Sequence, residues 1–276
     1  MEWRHPEITR LIHGALEEDI GPGDVTTLAC VEETARGAGV FLARQKLVLA
    51  GVELLDQIYE ALGGLDRLEL LRSSGEEVQA DEQVARVVGR VRTLLTAERV
   101  ALNLLQRLSG VATLTRQFAR AIEGTRCRVL DTRKTTPGMR RLDKLAVAAG
   151  GGTNHRLGLF DAVLIKNNHI AAAGGIRPAL DRAQRTGLPV QIEVRTASEL
   201  DEALECGAGH LLLDNLPPRE AADMVRRVAG RARVELSGGI TLANVRAYAE
   251  TGADFVSAGA LTHSAPAVDL SFRLDP

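Results

Sequence analysis

Between positions 131 and 169 the chain carries Arg133, Lys134, Arg140, Arg141, Lys144, Arg156 and Lys166 against only Asp131, Asp143 and Asp161. Seven positive charges minus three negative ones leave +4 in a segment of a chain whose formal net charge is −2. Arg140, Arg141 and Lys144 fit a solvated helix face as readily as a site. Arg133, Lys134 and Lys166 directly follow short apolar runs, where solvation of a surface does not explain them. Arg grips carboxylate or phosphate with a two-pronged fork, and Lys adds a point charge. The chemistry implied is capture of a small, multiply charged anion. Inside the same segment, Gly150-Gly151-Gly152 leads into Thr153-Asn154-His155-Arg156. Glycines let the backbone approach a ligand or take positive φ.

Opposite charge comes from Glu193 and Asp214, each at the end of an apolar run. Carboxylates there could hold a divalent cation, bind hydroxyls or steady a developing cation. Each could also serve only as an ion-pair partner for Lys166 or Arg133. Ser237-Gly238-Gly239 and Ser257-Ala258-Gly259 are glycine turns of the kind that offers backbone N–H groups to phosphate, with His263 just beyond the second. His5, His13 and His210 lack metal-ligand spacing, and no nucleophile–His–Asp arrangement is evident.

These residues need a scaffold that brings distant positions together. Apolar runs recur at 128–130, 162–165, 190–194, 210–213, 233–236 and 254–256, with helical patterns at 176–186, 198–207, 218–229 and 242–252. Alternation of this kind predicts a parallel sheet with crossover helices, and the polar residues fall after the strands, where α/β barrels assemble their sites. An open dinucleotide-binding sheet would begin with a Gly-x-Gly-x-x-Gly turn, which is absent here. Six strands against the usual eight predict an open, incomplete α/β barrel. The first part of the chain reads differently: a helix over 7–16, antiparallel strands over 39–43 and 82–91, and a helix over 50–62. A long helical pattern spans 96–122, and Ser109-Gly110 marks where a break in it would fall.

The bulk properties exclude other classes. A chain of 276 residues, 45% hydrophobic, is large enough for one barrel and a smaller domain. With 34 basic and 36 acidic residues it gives no general reason to expect nucleic acid or anionic membrane as a partner. The apolar runs are too short to span a bilayer, and the first residues lack a secretory signal pattern. Cys30, Cys127 and Cys206 are scattered, which suits a reducing cytoplasm rather than disulfides or zinc.

Asp131-Thr132-Arg133-Lys134-Thr135-Thr136-Pro137-Gly138-Met139-Arg140 resembles the quinolinate phosphoribosyltransferase family, as do Gly150–Leu159, Leu164–His169, Leu213–Asn215, Glu235–Ile240 and Ser257–Ser264. Upstream, 18–26, 95–99 and 103–110 are similar too, so the likeness covers nearly the whole chain. It implies an N-terminal α/β sandwich domain over 1–107, a catalytic barrel over 108–264 and a tail, 265–276, that joins the first domain. It implies quinolinate and phosphoribosyl pyrophosphate as substrates, Mg²⁺ as cofactor, and a homodimer or higher homo-oligomer with a shared active site. By motif position, Arg133, His155, Arg156 and Lys166, with Arg99 from the partner, would bind quinolinate. Lys134, Glu193 and Asp214 would be catalytic and serve the phosphoribosyl pyrophosphate, with Glu193 and Asp214 also on the metal. Ser237, Gly238, Gly239, Ser257, Gly259 and His263 would hold phosphate. Three positions depart from the family pattern: Gln191 in its Glu-x-Glu, Asn167 in its Lys-Asp-Asn-His, and Ala148 in its Tyr-Ala-Val-Arg. The residues themselves leave other readings open: a related transferase with a different acceptor, a non-catalytic sensor of phosphorylated sugars, and a sugar-phosphate isomerase.

Overall fold

A computed structural model describes residues 2–275. The elements run α1 (Pro6–Ile20), α2 (Val25–Cys30), β1 (Arg36–Ala43), β2 (Leu47–Val48), α3 (Leu54–Glu60), β3 (Arg67–Leu70), β4 (Glu77–Val78), β5 (Gln83–Arg90) and α4 (Val91–Ala121). They continue with β6 (Arg128–Leu130), α5 (Arg140–Ala149), β7 (Val163–Ile165), α6 (Asn167–Ala173), α7 (Ile176–Gln184), β8 (Val190–Val194), α8 (Ala197–Glu205) and β9 (His210–Asp214). The last are α9 (Pro218–Val228), β10 (Arg233–Ser237), α10 (Val245–Ala249), β11 (Phe255–Ser257), α11 (Ala260–His263) and β12 (Leu270–Asp275). Two units form: one from the residues up to Arg116, Thr135–Gly151 and the residues from Thr262 on; the other from Gln117–Lys134 and Gly152–Leu261.

The first unit holds an antiparallel sheet of order β12-β1-β5-β3. Phe41 of β1 lies opposite Phe272 of β12, with ring centroids 4.9 Å apart. Gly39 is required beside them, since a Cβ there would sit 2.2 Å from the Phe272 ring. Ile8, Ile12 and Leu16 form the buried stripe of α1, as the i, i+4, i+8 spacing dictates.

α4 is continuous through Ser109 and Gly110. Gly110 is there for close packing: a Cβ would lie 2.1 Å from the Pro266 carbonyl oxygen of the C-terminal tail. Ser109 Oγ accepts from the Ala50 N–H at 3.0 Å. α5 decides a reading left open by the sequence. Lys144 is buried rather than solvated, on a helix whose first turn is tied down by Asp143. Asp143 accepts from Arg107 Nη2 and from the Thr136 N–H, both at 3.3 Å. Gly150 also packs tightly, with its missing Cβ only 2.5 Å from the Ala112 carbonyl oxygen of α4. The start of the glycine run thus serves helix packing.

In the second unit six parallel strands have the order β6-β11-β10-β9-β8-β7. β6 and β7 are the two edges and do not pair, so the barrel is open. Residues that follow Gly152 run along the free edge of β6, where the Thr153 N–H donates to the Val129 carbonyl at 2.8 Å and Thr153 bridges Leu130. Ile192 and Val194, Leu211 and Leu213, Val234 and Leu236, and Val256 form one buried face of the strands. Apolar residues of α7, α8 and α9, among them Leu180, Leu200 and Met224, are buried as well. By the two-residue period of a strand, Gln191, Glu193, Leu212, Asp214, Glu235, Ser237 and Ser257 share the opposite face. That alternation decides which side chains can reach a common site.

Candidate active site at the carboxyl ends of the parallel strands

A cavity of about 220 Å³ opens at these strand ends. Thr132, Arg133 and Lys134 enter from the end of β6, Lys166 from β7, Asp214 from β9, Ser237 from β10 and Ser257 from β11. His155 and Arg156 come from the segment beside β6, and Leu164, Leu212 and Glu235 complete the lining. Local geometry aims these groups. The Lys134 N–H donates to Thr132 Oγ1 at 3.0 Å, a tight turn just after the strand. The Lys166 N–H donates to His169 Nδ1 at 2.9 Å, which fixes the entry to α6. Asp131, fully buried, accepts from the His155 N–H at 2.8 Å and so holds the segment that carries Arg156.

Arg156 Nη1 donates to the Ala162 carbonyl at 2.9 Å, and the negative charge of Asp161 acts on its guanidinium. The Arg156 pKa is lowered, first by burial and then by the positive charge of Arg133. Arg133 Nε is buried and has no hydrogen-bond partner among the described residues. A buried donor without a partner costs about 1–3 kcal/mol, more when charged, and an anion that enters the cavity would remove that cost.

Beneath the cavity lies a buried polar group that the sequence reading did not single out. Glu235, 2% exposed, accepts from Gln191 Nε2 at 2.8 Å and lies 3.4 Å from His155 Nε2 and 3.8 Å from His210 Nε2. Burial pushes the Glu235 pKa up, but hydrogen bonds from His155, Gln191 and Ser257 bring it below the usual glutamate value. The pKa of His210 is lowered, chiefly by burial. The available signal was a carboxylate inside the apolar run 233–236, on the same face as the expected serine.

Other expected residues fall in several places. Glu193 is buried and accepts from Arg195 Nη2 at 2.9 Å, and it does not line the cavity. Gly238 and Gly239 have φ of 96° and 61°, so the turn after β10 does require glycine. A Cβ on Gly238 would stand 2.2 Å from Asn215 Oδ1. Gly259 precedes α11, in the same unit as the cavity. His263 belongs to the first unit, is exposed and has Nδ1 2.5 Å from Ser264 Oγ. Arg99, also in the first unit, is exposed on α4, 4.0 Å from Glu98.

Asp214 faces the cavity and accepts from Asn215 Nδ2 at 2.7 Å through one oxygen. Among the described residues no three His, Cys, Asp or Glu side chains cluster as a metal site. One carboxylate of this kind suits Mg²⁺ that arrives with substrate phosphates, since that ion keeps waters and phosphate oxygens as its main ligands.

Comparison with known proteins assigns the chain and its fold to one family. The quinolinate phosphoribosyl transferase C-terminal domain matches residues 111–273 and the N-terminal domain of the same family matches 24–109. The chain belongs to the quinolinate phosphoribosyltransferase family. Within it, a probable nicotinate-nucleotide pyrophosphorylase (carboxylating) of Bacillus subtilis is 37% identical over 97% of this chain and 93% of its own length. A chloroplastic nicotinate-nucleotide pyrophosphorylase (carboxylating) of rice is 40% identical over 98% of this chain and 79% of its own. Among solved structures, the nicotinate-nucleotide pyrophosphorylase of Francisella tularensis superposes with a TM-score of 0.92 at 37% identity, covering 99% of this chain and 98% of that one. NadC from Streptococcus pyogenes gives 0.92 at 34% identity, covering 98% and 96%. Against the family pattern, Gln191 is the departure that enters the site's immediate surroundings, through Glu235 and His155. Asn167 opens α6, and Ala148 lies on α5 in the first unit.

Proposed function

We propose that this chain transfers a 5-phosphoribosyl group from phosphoribosyl pyrophosphate to quinolinate, yielding nicotinate mononucleotide, pyrophosphate and CO₂ in NAD biosynthesis. The observation that carries this reading is the pair Arg133 and Arg156, with Lys134 and Lys166, around one small cavity, where the charge of Arg133 helps to lower the Arg156 pKa. A pyridine dicarboxylate supplies the opposite charge, and Arg133, Arg156 and Lys166 hold it so that the ring nitrogen faces the sugar carbon. Orientation of this kind can lower the barrier by several kcal/mol. The ring nitrogen bonds to C1′ as the C1′–oxygen bond to pyrophosphate breaks. Asp214 stabilises the positive charge that grows on the ribose, and Lys134 stabilises the departing pyrophosphate. The new cationic nitrogen then accepts the electron density left on C2 when the 2-carboxylate leaves as CO₂, and a solvent proton completes the product.

Ser237, Gly238 and Gly239, with Ser257, Gly259 and His263, serve the 5′-phosphate through hydroxyl and backbone donors. Mg²⁺, when bound, offsets the pyrophosphate charge; Asp214 would hold it, with Glu193 joining only if Arg195 releases that carboxylate. Arg99 is assigned to quinolinate in the partner's site of a homodimer or higher homo-oligomer, which its exposure on α4 supports. Residues 1–107 with the tail 265–276 act as the supporting sandwich, and 108–264 as the catalytic domain. The cytoplasm is the assigned location, in keeping with three free cysteines. No helix among the described residues is long and apolar enough to cross a membrane. The test is incubation of purified protein with quinolinate labelled at the 2-carboxylate, phosphoribosyl pyrophosphate and Mg²⁺. Nicotinate mononucleotide and labelled CO₂ in equal amounts are expected, and the absence of both overturns the reading.

A further inference from the structure

His155 borders the cavity, yet both of its ring nitrogens already have partners. Nδ1 accepts from the Arg156 N–H at 2.7 Å, so it carries no proton in this arrangement. Nε2 then bears the hydrogen and donates to Gln191 Oε1 at 3.1 Å, with Glu235 Oε2 at 3.4 Å. The Gln191 amide is oriented by its other contacts: Nε2 donates to Glu235 at 2.8 Å and stands 3.1 Å from His210 Nε2. This set of donors and acceptors is consistent in one sense only. Turning the amide over would set its oxygen against the Glu235 carboxylate and its nitrogen against the His155 N–H.

We propose that Glu235 and Gln191 form a positioning pair that locks His155 in the neutral Nε2–H tautomer and thereby fixes the main chain that aims Arg156 at the dicarboxylate. With a proton on Nδ1, two donors would face each other at the distance now spanned by the Arg156 N–H bond. The segment would have to move, although Asp131 still grips the His155 N–H. Glu235 is 2% exposed at the cavity lining and Gln191 does not line the cavity; both act through His155. Gln191 also stands where the family pattern has Glu, and two ionised carboxylates could not share the 2.8 Å contact seen here. The amide leaves Glu235 as the single negative charge of the group, and this chain needs no extra proton to satisfy it. The consequence for turnover rests on the function proposed above.

Two variants and one direct observation test the pair. Nitrogen NMR of the full-length protein labelled at histidine, assigned with His155→Asn, should show His155 as the Nε2–H tautomer without substrate. In Glu235→Gln and in Gln191→Leu the Nδ1–H form should appear. KM for quinolinate should rise by about tenfold in both, with kcat and KM for phosphoribosyl pyrophosphate changed less than roughly threefold. The lock is overturned if the parent shows Nδ1–H or doubly protonated His155. It is equally overturned if both variants fold but keep tautomer and KM, or lose kcat and both KM values in parallel with thermal stability. A parent with no turnover of quinolinate overturns the proposed function instead, and the tautomer measurement then decides the lock by itself.

Discussion

Replacing Arg133 with alanine removes a cation assigned to the dicarboxylate in the proposed function. Arg133 Nε is buried and unpaired among the described residues, and the positive charge of Arg133 helps depress the pKa of neighbouring Arg156. A bidentate clasp on a carboxylate comprises two charge-assisted hydrogen bonds of about 1.5–3 kcal/mol each, so roughly 3–6 kcal/mol is at stake. Two effects reduce the figure. Arg156 and Lys166 remain to hold part of the dicarboxylate, and loss of the Arg133 charge relieves repulsion in the empty site. A net loss of about 3 kcal/mol remains, or roughly 10²-fold in kcat/KM for quinolinate. Initial rates with varied quinolinate at saturating phosphoribosyl pyrophosphate and Mg²⁺ would measure it, alongside thermal unfolding. The melting temperature should stay level or rise. Arg133→Lys should restore little, because an ammonium cannot reproduce the fork. A loss below about tenfold, or an equal loss in KM for phosphoribosyl pyrophosphate, would refute the placement of Arg133 on the dicarboxylate side.

Gly238→Ala should lower stability by about 1–3 kcal/mol and raise KM for phosphoribosyl pyrophosphate, because φ is positive and the new Cβ meets Asn215; a variant with parental melting temperature and KM would contradict this. Cys127 is buried and its thiol is pushed up to about 12 by burial, so a thiol reagent at pH 8 should label exposed Cys30 and reach Cys127 only on unfolding. Peptide mapping of the labelled protein gives the answer. Glu235 has a folded pKa below its ordinary 4.5, so its contribution to stability is complete above that value and lost as pH falls through the depressed one. Acid unfolding of the parent below pH 4.5 should therefore be steeper than that of Glu235→Gln, and parallel curves would show that Glu235 gains nothing in the folded state.

The parallel strands were legible because strands buried on both faces read as short apolar runs, and the polar residues after them announced their carboxyl ends. β3 and β12 were not legible. Both are edge strands with mixed burial, and their place depends on partners far away in the chain. Gly110 reads locally as a helix breaker, and only the tail residue Pro266 shows it to be a site of close backbone approach. Lys144 reads equally as a solvated or a site residue, because a charge on a helix has no local mark of its burial, and it is buried on α5. At the site, Arg133, Lys134, Lys166, Asp214, Ser237 and Ser257, read as strand-end residues, line one cavity with His155 and Arg156, read from the glycine run. Gln191 and Glu235 lie one layer deeper, inside apolar runs, where pattern alone cannot distinguish a working polar group from an interruption. Glu193, assigned by resemblance to the phosphoribosyl pyrophosphate and its metal, accepts from Arg195, a contact across one intervening residue that no periodicity reports.

The account stands on a cavity built for two carboxylates beside a ring nitrogen, and acceptor selectivity measures that most directly. Rates with quinolinate and with nicotinate, which lacks the 2-carboxylate, should be compared under the same conditions of phosphoribosyl pyrophosphate and Mg²⁺. A site that leaves a buried guanidinium unpaired with the smaller acid should favour quinolinate by roughly 10³-fold or more in kcat/KM. Equal turnover of the two acids, or a preference for nicotinate, would contradict it.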